Sequence, residues 1–343
     1  MLEATWFAII AFMLAMYVVL DGFDLGAGAL HLFVARDEGE RRAVLKAIGP
    51  VWDGNEVWLL ATGGALYCAF PALYAASFSG FYLPLMIVLW LLMGRGLGIE
   101  LRHHVDSPLW RQFWDVAFAI SSGLLALFFG AALGNSVRGV PLGADGTFFE
   151  PMWGDFEPRG RTGVLDWYTV LVGVNALAAL AMHGGLWLAH KTEGAVGERA
   201  LTWAKKLWWG VVVLTGLTTI ATWGVQPHVA HRMKSAPAGY LFVALTIAGL
   251  LGIRLMKTPG RRFLASCGYL AGMIASCAFA LYPYVLPSSI APNLGLTVHN
   301  AAAGEYGLKV ALAWWIPGMV LVGAYFVFVY RHFKGKVGEG DYG

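Results

Sequence analysis

The 343-residue sequence predicts an all-α, polytopic membrane protein with nine transmembrane helices, arranged as two four-helix bundles plus one extra helix in a single membrane domain, 1–343. Three observations carry this. Charged residues are only 13% of the chain while hydrophobic ones reach 58%, against about 25% and 45 to 50% in soluble domains. Mean hydropathy is +0.62. Apolar runs recur at or beyond the ~20 residues that a helix needs to cross ~30 Å of hydrocarbon. Soluble enzymes, secreted disulfide scaffolds and disordered chains are thereby excluded.

The runs fall at 5–33, 56–74, 77–99, 114–134, 165–189, 207–224, 237–256, 263–285 and 306–330. An outer-membrane barrel would alternate in ~10-residue units. These runs are continuously apolar over twice that length, which leaves helices as the backbone solution in lipid. The first run continues past residue 30 behind Glu3 and no basic segment, so a cleaved signal peptide is not expected. The longest connection, about 135–163, is Gly-rich and mixed in charge, and reads as a capping loop. Trp6 with Asp21-Gly22 and Trp167 with His183-Gly184 form a weak internal echo at spacings of 15 and 16 residues, which motivates the two-bundle arrangement.

Of the 24 Lys and Arg, five (Arg138, Arg159, Arg161, Arg232 and Lys234) lie on one set of connections and Lys309 lies in the ninth run. The other eighteen occupy the opposite set and the C-terminal tail. Basic residues stay cytoplasmic, so this split places the N-terminus outside and the C-terminus inside. A net charge of +3 gives no electrostatic footprint for nucleic acid. Cys68, Cys267 and Cys277 lack metal-ligand spacing and read as small buried hydrophobes.

Charges inside the apolar runs are the candidate functional residues. Asp21 and Asp24 lie in Val19-Leu20-Asp21-Gly22-Phe23-Asp24-Leu25-Gly26, about 60° apart on a helix, with Gly28 and His31 close in phase. An ionised carboxylate there costs at least ~2.5 to 3.5 kcal/mol, so each faces protein or water. Either they carry function or they pair with a basic residue of another helix. Gly22 and Gly26 form a small-xxx-small pair suited to close helix packing. In Trp52-Asp53-Gly54-Asn55-Glu56, Asp53 reads either as the N-cap of a capping box closed by Glu56 or as a proton acceptor at the mouth of a route. Arg95, Glu100, Arg102, His103 and His104 end the third run as a salt-bridged edge or as part of such a route, and Asp115 opens the fourth. Lys309 with Glu305 reads as a snorkelling pair. His183 alone lies deep in a run, which suits a hydrogen-bonded core histidine better than one of a pair of axial haem ligands.

Asp21-Gly22-Phe23-Asp24-Leu25-Gly26, Trp52-Asp53-Gly54-Asn55-Glu56-Val57-Trp58-Leu59 and Ala75-Ala76-Ser77-Phe78-Ser79-Gly80-Phe81-Tyr82 together resemble subunit II of the cytochrome bd quinol oxidases. The likeness continues through Arg95 to Arg102, Gly134-Asn135, Gly139-Val140-Pro141 and Tyr282-Pro283-Tyr284-Val285-Leu286-Pro287-Ser288-Ser289, over nearly the whole chain. The resemblance implies a heterodimer with a larger subunit I, a complex that oxidises quinol and reduces O2 in the respiratory chain of a bacterial or archaeal cytoplasmic membrane, and electrogenic vectorial chemistry. It implies that two haems b and haem d are carried by subunit I, that this chain ligates no metal and holds no complete active site, and that a structural quinone at the subunit interface and a small single-helix third subunit are compatible with it. The long quinol-binding loop of the family's subunit I is absent here. The resemblance also implies a role for this chain in stabilising subunit I and delivering protons from the cytoplasm: Asp53 matches the acid at the entrance, Asp24 the deeper acid, and Glu100 a carboxylate after the Arg-x-x-Gly stretch, with Asp21 beside Asp24. The alternative from another class is a proton- or cation-coupled transporter in which Asp21, Asp24 and Asp53 bind the coupling ion.

Overall fold

A computed structural model describes residues 1–158 and 160–337. Arg159, counted above among the five basic residues, lies outside the described residues. The elements in order are α1 (Leu2–Val34), α2 (Glu38–Ile48), α3 (Trp52–Ala69), α4 (Pro71–Gly80), α5 (Tyr82–Leu101), α6 (Pro108–Arg138), α7 (Trp167–Lys191), α8 (Gly194–Val225), α9 (Pro227–Ser235), α10 (Tyr240–Leu255), α11 (Pro259–Leu281), a hairpin of β1 (Tyr284–Leu286) and β2 (Leu296–Thr297), and α12 (Glu305–His332). Among the described residues, eight helices are long and apolar enough to cross a membrane.

The run expected at 56–74 is the exception. Pro71 cannot extend the α3 hydrogen-bond ladder, so α3 stops at Ala69 and α4 begins at Pro71. The polar first turn of α3, from Trp52 to Glu56, further lowers its hydropathy. At the other end of the chain α11 closes at Leu281, before the end at 285 expected from sequence, and Tyr284 to Leu286 pair antiparallel with Leu296 and Thr297 instead. Two short amphipathic helices, α2 and α9, add to the expected set. Asp37 starts α2 by accepting from Glu40 N at 2.9 Å.

Helix α1 lies at the centre and packs against α3, α6, α7 and α11. Every residue from Asp21 to Gly28 is buried. A Cβ at Gly26 would meet Leu180 C at 2.6 Å and Gly184 N at 2.9 Å, so α1 and α7 touch backbone to backbone there. Gly22 sits one turn earlier against the Leu180 side chain.

The described residues of the connection, 139–158 and 160–166, are folded down rather than trailing. Arg138, at the end of α6, donates to Asn135 Oδ1 at 2.7 Å, to Glu150 Oε1 at 2.5 Å, to Gly163 O at 3.1 Å and to Asp166. Asp166 in turn forms a capping box with Thr169 at the start of α7. Val140 bonds to Pro287 O and Ser289 N, which ties the loop to the hairpin region. One expectation about the cysteines fails: Cys68 is exposed, and Cys267 and Cys277 are half-buried. Cys68 lies on α3, whose outer face the chain itself does not cover.

Candidate functional site

The buried face of α1 is shared among three neighbouring helices, each supplying one polar partner. Arg95, from α5, is fully buried and grips Asp21 with both terminal nitrogens, at 2.9 Å to Oδ2 and 2.5 Å to Oδ1. Such two-pronged pairing suits the planar guanidinium and largely neutralises the carboxylate. The same arginine reaches Glu56 of α3 at 3.4 Å. Glu56 is therefore drawn into the network and is not a capping partner. Its side chain is 24% exposed, which makes it the point where the network meets the surface.

Asp24 has a different environment. Asn55, buried on α3, donates to Asp24 Oδ2 at 2.7 Å and to Leu20 O at 3.3 Å, and its own Oδ1 accepts from the Tyr330 hydroxyl at 3.1 Å. Asp24 Oδ1 is buried with no hydrogen-bond partner. Of the two acids on this face, Asp21 is committed to an arginine and Asp24 keeps one oxygen uncommitted. Chemically, Asp24 can gain or lose a proton at Oδ1 without breaking its bond to Asn55.

A second cluster lies at the far end of α1. His31 Nε2 meets Asp115 Oδ1 of α6 at 2.8 Å. Arg102 donates to both oxygens of Asp115, at 2.7 and 3.1 Å, and to both oxygens of Glu38 at 3.0 and 2.8 Å, while Arg41 adds a bond to Asp115 at 3.1 Å. Glu38 lies outside the spans. Its partial burial would raise its pKa, but the hydrogen bonds and charge of Arg102, with Arg42, outweigh that and hold it below the ordinary glutamate range.

The remaining sequence candidates lie elsewhere. Asp53 is exposed in the first turn of α3, behind Val51 as N-cap, and caps nothing with its side chain; the capping-box reading is corrected accordingly. The helix starts two residues earlier than that reading required, at Trp52 and not Gly54, which puts Asp53 inside it. Glu100 is exposed on α5 and joins neither cluster through its side chain. Asn55 and Tyr330 were not singled out from sequence: an Asn within Trp52-Asp53-Gly54-Asn55-Glu56 and a Tyr near the end of the last span carry no charge in an apolar run, which is the signal that exposed Asp21 and Asp24.

The fold and these clusters define a polytopic helical membrane protein with arginine–carboxylate networks enclosed among its helices. The chain belongs to the family of cytochrome bd terminal oxidase subunit II, whose model matches residues 2–333. It is 32% identical to the "probable cytochrome oxidase subunit 2" of Haemophilus influenzae, over 98% of this chain and 95% of that one. It is 33% identical to the cytochrome bd ubiquinol oxidase subunit 2 of Bacillus subtilis (90% and 89% covered) and 30% identical to the cytochrome bd-I ubiquinol oxidase subunit 2 of Escherichia coli K12 (99% and 96%). The fold matches a chain in the structure of bd oxidase from Geobacillus thermodenitrificans with a TM-score of 0.71 at 18% identity, covering 97% of this chain and 98% of that one. The family is one subunit of a haem-containing oxidoreductase complex of the respiratory chain, so a subunit I partner is implied, and the chain is an integral membrane protein. Membership in it does not favour the transporter reading.

Whether this chain offers axial haem ligands can be judged from its two fully buried histidines. His183 Nε2 bonds to Val19 O at 2.9 Å and its Nδ1 to Ser266 Oγ at 2.6 Å, with the ring stacked on Phe263. His31 is committed through Nε2 to Asp115. Among the described residues no group of three His, Cys, Asp or Glu is placed to hold a metal ion. With both ring nitrogens engaged, His183 does not fit an axial haem ligand.

Proposed function

We propose that this chain is the second subunit of a quinol:O2 oxidoreductase in the cytoplasmic membrane of a bacterium or archaeon, stabilising a haem-bearing subunit I and carrying protons towards it. In this reading α3 is the ninth span, the helices form two four-helix bundles with α12 as the extra one, the N-terminus is outside, and the two haems b and haem d belong to subunit I. A structural quinone and a small third subunit are compatible with it.

The proton route is the part in which this chain's residues act. Reducing O2 consumes protons, and drawing them from the cytoplasm while quinol releases its own outside builds a gradient without a pump. Asp53 and Glu100 are exposed and collect protons; Glu56 lies one helical turn beyond Asp53, at the edge of the buried network. Arg95 and Asp21 hold the acceptor region in place, and Asp24 carries the proton. The single observation that supports this assignment is the asymmetry of the two buried acids: Asp21 is locked to Arg95, whereas Asp24 keeps one oxygen uncommitted while Asn55 fixes the other. A purely structural pair would have no reason to leave Asp24 half-bonded, because a buried polar atom without a partner is destabilising.

The test is turnover of the intact complex at equal haem content. Asp24→Asn keeps the shape but cannot release a proton, and is expected to slow O2 reduction at saturating quinol at least tenfold, which is about 1.4 kcal/mol of barrier, with proton uptake falling in parallel. Asp53→Asn is expected to show a smaller decrease that proton-carrying buffers relieve. Wild-type turnover in Asp24→Asn would remove Asp24 from the route.

A further inference from the structure

His31, Ser122 and Asp24 are fully buried polar side chains, and each keeps one atom without a hydrogen-bond partner among the described residues: His31 Nδ1, Ser122 Oγ and Asp24 Oδ1. They lie along one seam between α1 and α6. On α1, Asp24, Gly28 and His31 fall within about 60° of one another, and His31 stands about 10 Å along the axis from Asp24. Between them is the notch at Gly28, where a Cβ would come 2.1 Å from Ser122 Oγ. Helix α6 thus seats the Ser122 hydroxyl midway between the acid and the histidine. Phe118, one turn before Ser122, covers the rest of the notch, with its Cζ 2.9 Å from the same position and its ring 5.4 Å from that of His31. Thr62, Ser136 and Thr218 return their hydroxyl hydrogens to the carbonyl one turn back, which is the ordinary outlet for such a group inside a helix. Ser122 does not.

The direction of the hydrogen bonds follows from Asp115. Both of its oxygens accept from arginine, Arg102 on each and Arg41 on Oδ2, so it is ionised and accepts from His31 as well. The His31 hydrogen is therefore on Nε2, and the neutral ring offers a lone pair at Nδ1. At the other end, Asn55 donates its amide to Asp24 Oδ2, which leaves Oδ1 as the atom that can carry a hydrogen. A serine hydroxyl, like a water, accepts one hydrogen bond and donates another. A chain that ends on an acceptor at His31 must begin on a donor, and Asp24 Oδ1 is a donor only when it is protonated. An ionised Asp24 would draw the Ser122 hydrogen to itself and leave His31 Nδ1 with none.

We propose that His31 is a positioning residue for the proton on Asp24: held by Asp115, it accepts through Ser122 a hydrogen bond, direct or water-bridged, that only protonated Asp24 can start, and so keeps Asp24 loaded between turnovers. The inference rests on the reading of Asp24 as the proton carrier and adds the state in which that carrier waits. When Asp24 gives its proton up towards subunit I, the chain loses its donor, and one proton arriving by way of Glu56 restores it.

The experiment follows the protonated-carboxyl band of Asp24 by infrared difference spectroscopy as pH is raised, in the intact complex at equal haem content, the band being identified by its loss in D24N. Wild type is expected to show it at about pH 7. S122A removes the middle link and leaves Asp21, Glu56, Arg95 and Tyr330 around Asp24, and Asp115, Arg102 and Arg41 around His31, in place. H31L removes the acceptor, with Asp115 still held by both arginines. Each variant is expected to lower the midpoint of the band by at least about one pH unit, a tenfold change in the protonation equilibrium. The alkaline limb of turnover moves down with it, because Asp24 then empties at lower pH. A role in packing alone would change yield and leave the midpoint where it is. An unmoved midpoint in either variant, or an ionised Asp24 in wild type at about pH 7 whether His31 is neutral or protonated, overturns the inference. Turnover of D24N separates the two readings: slow turnover with unmoved midpoints keeps Asp24 in the route and removes His31, whereas wild-type turnover removes the route itself.

Discussion

Arg95 is the residue on which the buried network depends. Taking it away leaves Asp21 as an uncompensated charge in the bundle interior, a loss of about 3 to 5 kcal/mol by the usual cost of breaking a buried pair. Arg95→Leu is therefore expected to lower the amount of assembled complex severely, measured as haem per milligram of membrane protein. The double variant Arg95→Leu with Asp21→Leu removes both charges and is expected to recover part of that yield, because a buried pair replaced by apolar groups of similar size is often near neutral. Wild-type yield in the single variant would show that Asp21 is not held by Arg95. Sequence alone singled out Asp21 and Asp24, since an acid in an apolar run stands out and 100° per residue puts both on one face. It could not tell which acid is paired, because that depends on how α3 and α5 are rotated against α1. The same limit explains Asp53: the Asp-x-x-Glu spacing reads equally well as a capping box, and only the start of α3 at Trp52 separates the two.

Between elements, the closest approach is that of α1 and α7 at Gly26 and Gly184, where any side chain would run into main-chain atoms of the other helix. Backbone cannot yield as a side-chain end can, so Gly26→Leu is expected to prevent the two helices from closing and to abolish assembly, whereas Gly216→Ala on α8, with nothing within 4 Å, is expected to leave yield unchanged. Haem content after membrane extraction reports both. Glycine spacing made the contact face legible, but not its partner. Helix boundaries were less legible where a proline intervened: Pro71 divides what hydropathy reads as one span, since an average over apolar residues is blind to a missing N–H. The loop over 139–166 supplies a pH-dependent element. Burial raises the pKa of Glu150 above the ordinary glutamate value, against the opposing charge of Arg138. A carboxyl whose folded-state pKa is raised gives stability that is complete below its unfolded pKa and is lost as pH rises through the folded value. Amide exchange across this loop is expected to quicken as pH rises from about 4 to about 8 beyond the intrinsic chemical rate, and Glu150→Gln is expected to remove that excess. An unchanged excess in Glu150→Gln would place the titrating group elsewhere.

For the whole molecule, the direction of the proposed proton route depends on which way the chain lies in the membrane. The distribution of basic residues, eighteen of 24 on one side and five on the other, is the sequence basis for the proposed orientation. Glu56 and Glu38 lie towards the lysine-rich side, and the loop fastened by Arg138 lies towards the other. If the lysine-rich side is cytoplasmic, Glu56 draws protons from the compartment that loses them, and O2 reduction charges the membrane. With the opposite orientation the same residues would take protons from outside and the reaction would generate no gradient. Single cysteines test this in a chain whose Cys68, Cys267 and Cys277 are replaced by Ala. Cysteine at Asp145, in the loop, is expected to react with a membrane-impermeant maleimide in intact cells, and cysteine at Lys257, between α10 and α11, only after the membrane is opened. Reaction at position 257 in intact cells, with position 145 protected, would invert the chain and turn the Asp53, Glu56 and Asp24 route to the wrong side for charging the membrane.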